Sequence, residues 1–313
     1  MTEKRLEYYD IAKFIAIVTV IYGHCIQHYL DQNPLQNPVY LLIYSFHMPL
    51  FMIISGFFSN NSLKLDFKPF IQKKSLQLLL PYACWQVLSI IIKFILGDVN
   101  AESIIRYDFW FLISLFICSL LAWCFYHLKT PYKEIFLLIS LVITQVGLFR
   151  LKDMYPCFLI GLLLYNKDGV IQRYKRGLSI LSLLCYITLV YFTLDEKFFE
   201  VSFSVQGLLK QLNIIIVGAS ASFFIIRLCG YIEHFIPAFI KKIGQYTLII
   251  YLIQSVLFTL SKEILSFSNV SPVILYLLLF PLIVSAYIAI SMIAISFINR
   301  SQNLSLILLG KKL

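Results

Sequence analysis

IAKFIAIVTVIYGHCIQHYL, residues 11–30, is apolar over the length of a membrane span, yet it carries a lysine and two histidines. A bilayer core roughly 30 Å thick takes about 20 residues of helix, and a helix satisfies its own backbone groups in lipid. The stretch therefore reads as a first transmembrane helix. The short charged start MTEKRLEYYD, with no small-residue cleavage site at the end of the apolar run, marks it as an uncleaved span rather than a signal peptide.

Similar stretches follow along the chain. The expected spans are 11–30, 39–59, 75–97, 108–128, 134–150, 153–166, 177–194, 206–229, 243–261 and 271–298. The sixth, around MYPCFLIGLLLY, is short and can equally form a re-entrant segment. Of the 313 residues, 60% are hydrophobic and 13% charged. That is about half the charge of an ordinary soluble domain and excludes a water-soluble fold. The expected fold class is all-α: a polytopic integral membrane protein of about ten transmembrane helices. Without an internal repeat or a soluble appendage longer than a loop, residues 1–313 are expected to form a single membrane domain.

Lysine and arginine in short loops stay on the cytoplasmic side. With the N-terminus inside, the cytoplasmic segments hold Lys4, Arg5, Lys64, Lys68, Lys73, Lys74, Lys129, Lys133, Lys167, Arg173, Lys175, Arg176, Arg227, Lys241, Lys242, Arg300, Lys311 and Lys312, eighteen in all. The opposite segments hold five: Arg106, Arg150, Lys152, Lys197 and Lys262. The asymmetry supports an even number of spans with both termini cytoplasmic. The net charge of +10 is dispersed among these connections rather than gathered on one face, so nucleic acid is not an expected partner. The seven cysteines lie almost all inside apolar runs without CxxC spacing, and read as small hydrophobes rather than a disulfide framework or zinc site.

Polar groups that cost energy to bury in lipid are where function is sought. Lys13 and His24 are eleven positions apart, almost three whole helical turns, so they share a helix face with a rise of about 16 Å between them. Lys13 can snorkel to the interface or pair with Asp10 at i,i+3. An imidazole as deep as His24 is a functional candidate by default. FHMPLF (46–51) opens the second span and leads to SGFF (55–58). Pro49 frees a backbone carbonyl and Gly56 permits close helix approach, so polar atoms can converge around His47 and Ser55. Trp110 and Tyr155 fit an interfacial aromatic belt, and Lys93 and Lys210 fit snorkelling. Gln145, Gln211, Asn213 and Gln254 fit hydrogen bonds between helices. Lys73 and Lys74 obey the positive-inside pattern and can also meet an anionic ligand. There is no Walker A, GxSxG, HExxH or Rossmann glycine pattern, and no metal site is expected.

Together these residues resemble the acyltransferase 3 family of integral membrane acyltransferases. Tyr9-Asp10-Ile11-Ala12-Lys13 followed by Gly23-His24 is similar to the Arg/Lys-x10-His pattern of that family's first helix. FHMPLF and SGFF, Lys74 to Pro81-Tyr82, Trp110-Phe111-Leu112, Tyr155-Pro156 to Gly161 and Ile243-Gly244 to Tyr251 are similar to later family segments. Lysine at position 13 within DIAK looks most like the fucose 4-O-acetylase-like branch. Lysine binds an anion as a point charge, without the two-pronged fork of arginine. Gln254 stands where many members carry histidine, so catalysis is not assigned there.

The resemblance implies acyl transfer to a hydroxyl of a sugar or cell-envelope glycan in a bacterial inner membrane. The donor it implies is typically acetyl-CoA, a substrate rather than a permanently bound cofactor. A neutral imidazole at His24 suits this as general base or transient acyl carrier. His47 would orient a substrate or stabilise the oxyanion. Asp10, Lys13, Lys73 and Lys74 are expected at the donor, and Trp110 and Ser55 at the acceptor. A secondary transporter or flippase of a sugar or lipid-linked intermediate is the alternative reading, since it too needs many helices and buried polar groups.

Overall fold

The computed structural model describes residues 6–30, 32–97, 109–146, 148–166, 175–191, 205–261, 265, 267 and 270–310. The described residues form helices and turns and contain no strand. In chain order the principal helices are α1 (Glu7–Tyr29), α2 (Pro38–Tyr44), α3 (His47–Leu63), α4 (Phe67–Lys74), α5 (Leu80–Ile95), α6 (Trp110–His127), α7 (Tyr132–Ile143), α8 (Leu151–Asn166), α9 (Lys175–Val190), α10 (Val205–Ile232), α11 (Ala238–Gln245), α12 (Thr247–Ser261), α13 (Phe280–Ile298) and α14 (Gln302–Leu309).

The described part of each expected span is largely helical, but 39–59 and 243–261 are each divided between two helices, and the helices long enough to cross a membrane number fewer than ten among the described residues. Six helical stretches are long and apolar enough to cross a membrane: Glu7–Tyr29, Pro38–Leu63, Phe67–Ile95, Trp110–His127, Gln206–Phe235 and Pro272–Ile298. α11 with α12 makes a seventh if the two count as one bent span. α7, α8 and α9 are shorter, at 12, 16 and 16 residues. The expected span 134–150 is cut after Ile143 by two short 3-10 turns. In the second of these Phe149 and Arg150 adopt positive φ, 49° and 55°. Residues 192–194 of the expected seventh span, and the terminal charges at Lys4, Arg5, Lys311 and Lys312, lie outside the described residues.

The described chain packs as two compact units. The first comprises 1–27, 32–60 and 141–247. In it α1 runs opposite to α3, α8 and α10. At the α1 N-terminal end, Tyr9 packs on Phe57 at 4.7 Å and Phe58 at 5.0 Å, Phe57 meets Tyr165 at 5.4 Å, and Lys241 Nζ reaches Glu7 at 2.6 Å. There Gly244 lies so close to the Asp10 carbonyl that a Cβ would collide with it. At the other end the ring of Tyr44 covers Gly23, and Gly218 of α10 lies against Pro49 and the Ser45 carbonyl. That carbonyl is the one Pro49, lacking an N–H, cannot bond. Gln211 Nε2 donates to the Lys152 carbonyl at 2.8 Å, fastening α10 to the first turn of α8. Gly56 of α3 and Gly161 of α8 bring the two backbones into direct contact. This is the small-residue packing that helices use where burial from water supplies no drive. α2 starts sharply because Asn37 caps it, accepting from Val39 and Tyr40 N–H at 3.1 Å, with Pro38 at the first position.

The second unit comprises 28–31, 61–140 and 248–313. Its core is tied by a ring of three hydroxyls: Tyr29 meets Ser261 at 2.6 Å and Tyr287 at 2.5 Å, and Ser261 meets Tyr287 at 2.6 Å. Trp85 Nε1 donates to the Leu308 carbonyl and Trp123 Nε1 to the Leu65 carbonyl. Two wide π-turns, Ser75–Leu79 and Leu275–Leu279, precede Pro81 and Pro281. A proline ring collides with the carbonyl four residues back in a regular helix, and the wider turn makes room for it. Two expectations change here and in the first unit. Tyr155 is fully buried rather than interfacial, and Lys93, expected to snorkel, is 6% exposed.

Candidate active site

Asp10, Lys13, His24, His47 and Ser55 all belong to the first unit. Lys13 Nζ meets Asp10 Oδ1 at 3.2 Å and sits over the Phe58 ring at 5.3 Å. The Asp10 side chain is buried, while a quarter of the Lys13 side chain is exposed. The pair therefore presents a tethered cation rather than an isolated one. Ser55 is half-buried in α3, and its carbonyl accepts from Ser59 Oγ at 2.7 Å.

About 16 Å further along α1, at 1.5 Å per residue, His24 Nδ1 lies 3.2 Å from Gln27 Oε1. Tyr44 OH donates to the same oxygen at 3.3 Å. With Nδ1–H donating to this oxygen, which only accepts, the basic nitrogen of a neutral ring is Nε2. This is the tautomer a general base requires. His47 Nδ1 lies 2.7 Å from the Ile43 carbonyl, which likewise fixes its proton on Nδ1. With that proton engaged, a neutral His47 offers an acceptor at Nε2, which suits orienting a hydroxyl better than stabilising an oxyanion. Tyr44 links the two histidines, because its ring stands edge-on to His47 at 4.6 Å while its hydroxyl shares Gln27 with His24. His24 and Arg150 both lie within electrostatic reach of His47.

α1 and α3 run antiparallel with matching intervals. Lys13 faces Phe58 at one level and His24 approaches His47 at the other, eleven residues along each helix. Near Lys13 the wall continues into a narrow cleft lined by Tyr8, Tyr9, Phe57, Leu164, Phe223 and Arg227. The Arg227 Nε there is buried, with no acceptor among the described residues.

Lys73, Lys74 and Trp110 belong to the second unit. The lysines occupy the last turn of α4, with Lys73 exposed and Lys74 half-buried. Trp110 begins α6 beside Phe111, and Phe109 and Phe111 both contact Tyr251. Gln254 is 1% exposed and its Oε1 has no donor among the described residues, unlike Gln211, which does join two helices. Asn213 Nδ2 is likewise buried without an acceptor there, and Gln145 turns back to Leu141 in its own helix region.

The Acyltransferase domain profile of the acyltransferase 3 family matches residues 6–296. The chain belongs to the acyltransferase 3 family. It is a membrane acyltransferase by that membership, which takes the place of the transporter reading. Among curated proteins it is similar to Nodulation protein NolL of Mesorhizobium japonicum, at 29% identity covering 84% of this chain and 79% of the relative. It is also similar to Nodulation protein NolL of Sinorhizobium fredii, at 25% identity covering 82% and 79%. No solved structure matches.

Gln27 and Tyr44 were not among the sequence candidates. Gln27 had a signal, the i,i+3 spacing from His24. Tyr44 had none, because it arrives on a separate helix. In this acyltransferase, Gln27→Leu should lower turnover roughly 10–100-fold by removing the acceptor that orients the His24 ring. Gln27→Glu, which still accepts from Nδ1, should keep most of it. The check is acyl transfer in membranes with matched protein levels, and a fully active Gln27→Leu would refute the orienting role.

Proposed function

We propose that this acyltransferase moves acetyl from acetyl-CoA to a hydroxyl of a sugar or cell-envelope glycan, with His24 as the base. The observation that carries the proposal is His24, its Nδ1 held 3.2 Å from Gln27 Oε1, at the far end of the same helix face as the Asp10–Lys13 pair. Acetyl-CoA enters from the Lys13 end, taken as cytoplasmic from the charge pattern. The lysine meets its phosphates while the pantetheine arm reaches along α1. Asp10 keeps the ammonium in place. At His24 the acceptor hydroxyl oxygen attacks the thioester carbonyl and its proton passes to Nε2. Collapse of the tetrahedral adduct breaks the C–S bond, and the imidazolium returns the proton to the departing thiolate. His47 orients the acceptor. Both curated relatives come from bacteria, which supports an inner-membrane location.

The test is base-labile acetate on envelope glycans of cells with and without the protein, followed by transfer from labelled acetyl-CoA in their membranes. Label appearing in base-labile glycan ester only when the protein is present supports the reading. Label transferred from a different acyl-CoA, with acetyl-CoA inert, would replace the donor. The absence of glycan label with any donor would remove the glycan acceptor.

A further inference from the structure

In the turn Leu148–Arg150 before α8, Phe149 and Arg150 both take left-handed backbone conformations although neither is glycine. Such a conformation persists only where the surroundings hold it, and it gathers at functional positions. Here it carries Arg150 into electrostatic reach of His47 and Tyr40 on one side and of Asp153 on the other. Asp153 is 4% exposed, and its Oδ1 has no hydrogen-bond donor among the described residues. The Gln211 bond to the Lys152 carbonyl fixes the helix turn on which Asp153 stands. Buried acceptors are nearly always matched within a folded chain, so a rigidly held unmatched one points to a donor brought by a ligand.

We propose that Asp153 and Arg150 form the subsite for the hydroxyl-bearing acceptor: the Asp153 carboxyl oxygen accepts from one hydroxyl while the Arg150 guanidinium donates to an oxygen beside it. Adjacent sugar hydroxyls present this alternation of donor and acceptor, and the planar guanidinium fork matches neighbouring oxygens. The position fits the direction of the reaction. α8 runs opposite to α1, so its first turn lies at the His24 and His47 end of the first unit, while its last residues lie beside Tyr9 and Phe57. Donor and acceptor thus approach His24 from opposite ends. This inference rests on the glycan acetyltransferase reading and names its acceptor contacts.

The experiment uses the full chain in lipid nanodiscs, labelled acetyl-CoA, and envelope glycan whose acetate has been removed with base. Asp153→Leu should raise the KM for glycan by about 10–100-fold, the loss of one or two hydrogen bonds. It should leave the KM for acetyl-CoA unchanged, and Asp153→Asn should fall between. The melting temperature of Asp153→Leu should equal or exceed that of the wild type, because an unmatched polar atom has been removed. An active wild type with an unchanged glycan KM in both variants would overturn the proposal. So would a lower melting temperature with both KM values raised, which marks a structural carboxylate. If Asp153→Leu does not fold, an unchanged glycan KM in Asp153→Asn overturns it. A wild type that never labels glycan would instead overturn the parent reading and this one with it.

Discussion

Replacing His24 by alanine is expected to lower acyl transfer roughly 100- to 10,000-fold, the range a positioned general base contributes, with the protein still present in the membrane at wild-type level. The expectation rests on the arrangement around the ring. Gln27 Oε1 lies 3.2 Å from Nδ1, and Tyr44 OH donates to the same oxygen. His24 is half-buried and α1 keeps its packing without it, since its neighbours Cys25 and Ile26 fill the core. Loss of activity would therefore report chemistry rather than collapse. His47→Ala should cost less, because that ring contributes an acceptor and closes the Ile43 carbonyl. The measurement is base-labile acetate together with in vitro transfer at matched protein level. Equal acetate from wild type and His24→Ala, or loss with His47→Ala alone, would remove His24 from the mechanism.

The second large effect is structural. Gly56→Leu or Gly161→Leu should prevent the protein from accumulating in membranes, because a side chain at either position would drive into the backbone of the facing helix. The obstacles are the Phe158 carbonyl for Gly56 and the Ile53 carbonyl for Gly161. Overpacking of this kind costs on the order of 1–3 kcal/mol even where side chains can adjust. Here the obstacle is backbone on both sides, so the cost should lie at or above the top of that range. Gly177, where a Cβ would meet only open space, provides the control. Membrane abundance and melting in detergent should fall for the first two substitutions and not for Gly177→Leu. Equal behaviour of all three would contradict the contact.

Much of this was legible in the chain because hydrophobic length and helical spacing are local properties. The face shared by Lys13 and His24, the Asp10 pairing and the close approach at Gly56 all follow from residues on single helices. What was not legible depends on where the chain reverses. Arg150 reads as a loop charge, since nothing in GLFRLKD announces two successive left-handed residues that turn it toward His47. Tyr155 reads as a belt residue because its aromatic ring beside a proline looks the same whether it faces headgroups or a core. Tyr44 is invisible for a third reason, since its partner Gln27 lies seventeen residues away across the reversal between α1 and α2.

The matching eleven-residue intervals on α1 and α3 constrain how this chain can change over generations. A one-residue insertion between Lys13 and His24 would rotate the histidine by about 100° and carry it off the shared face. An added full turn would restore the direction but displace it by about 5.4 Å from its counterpart on α3. The two helices therefore act as paired rulers, and an insertion in one breaks its register with the other unless both are lengthened in step.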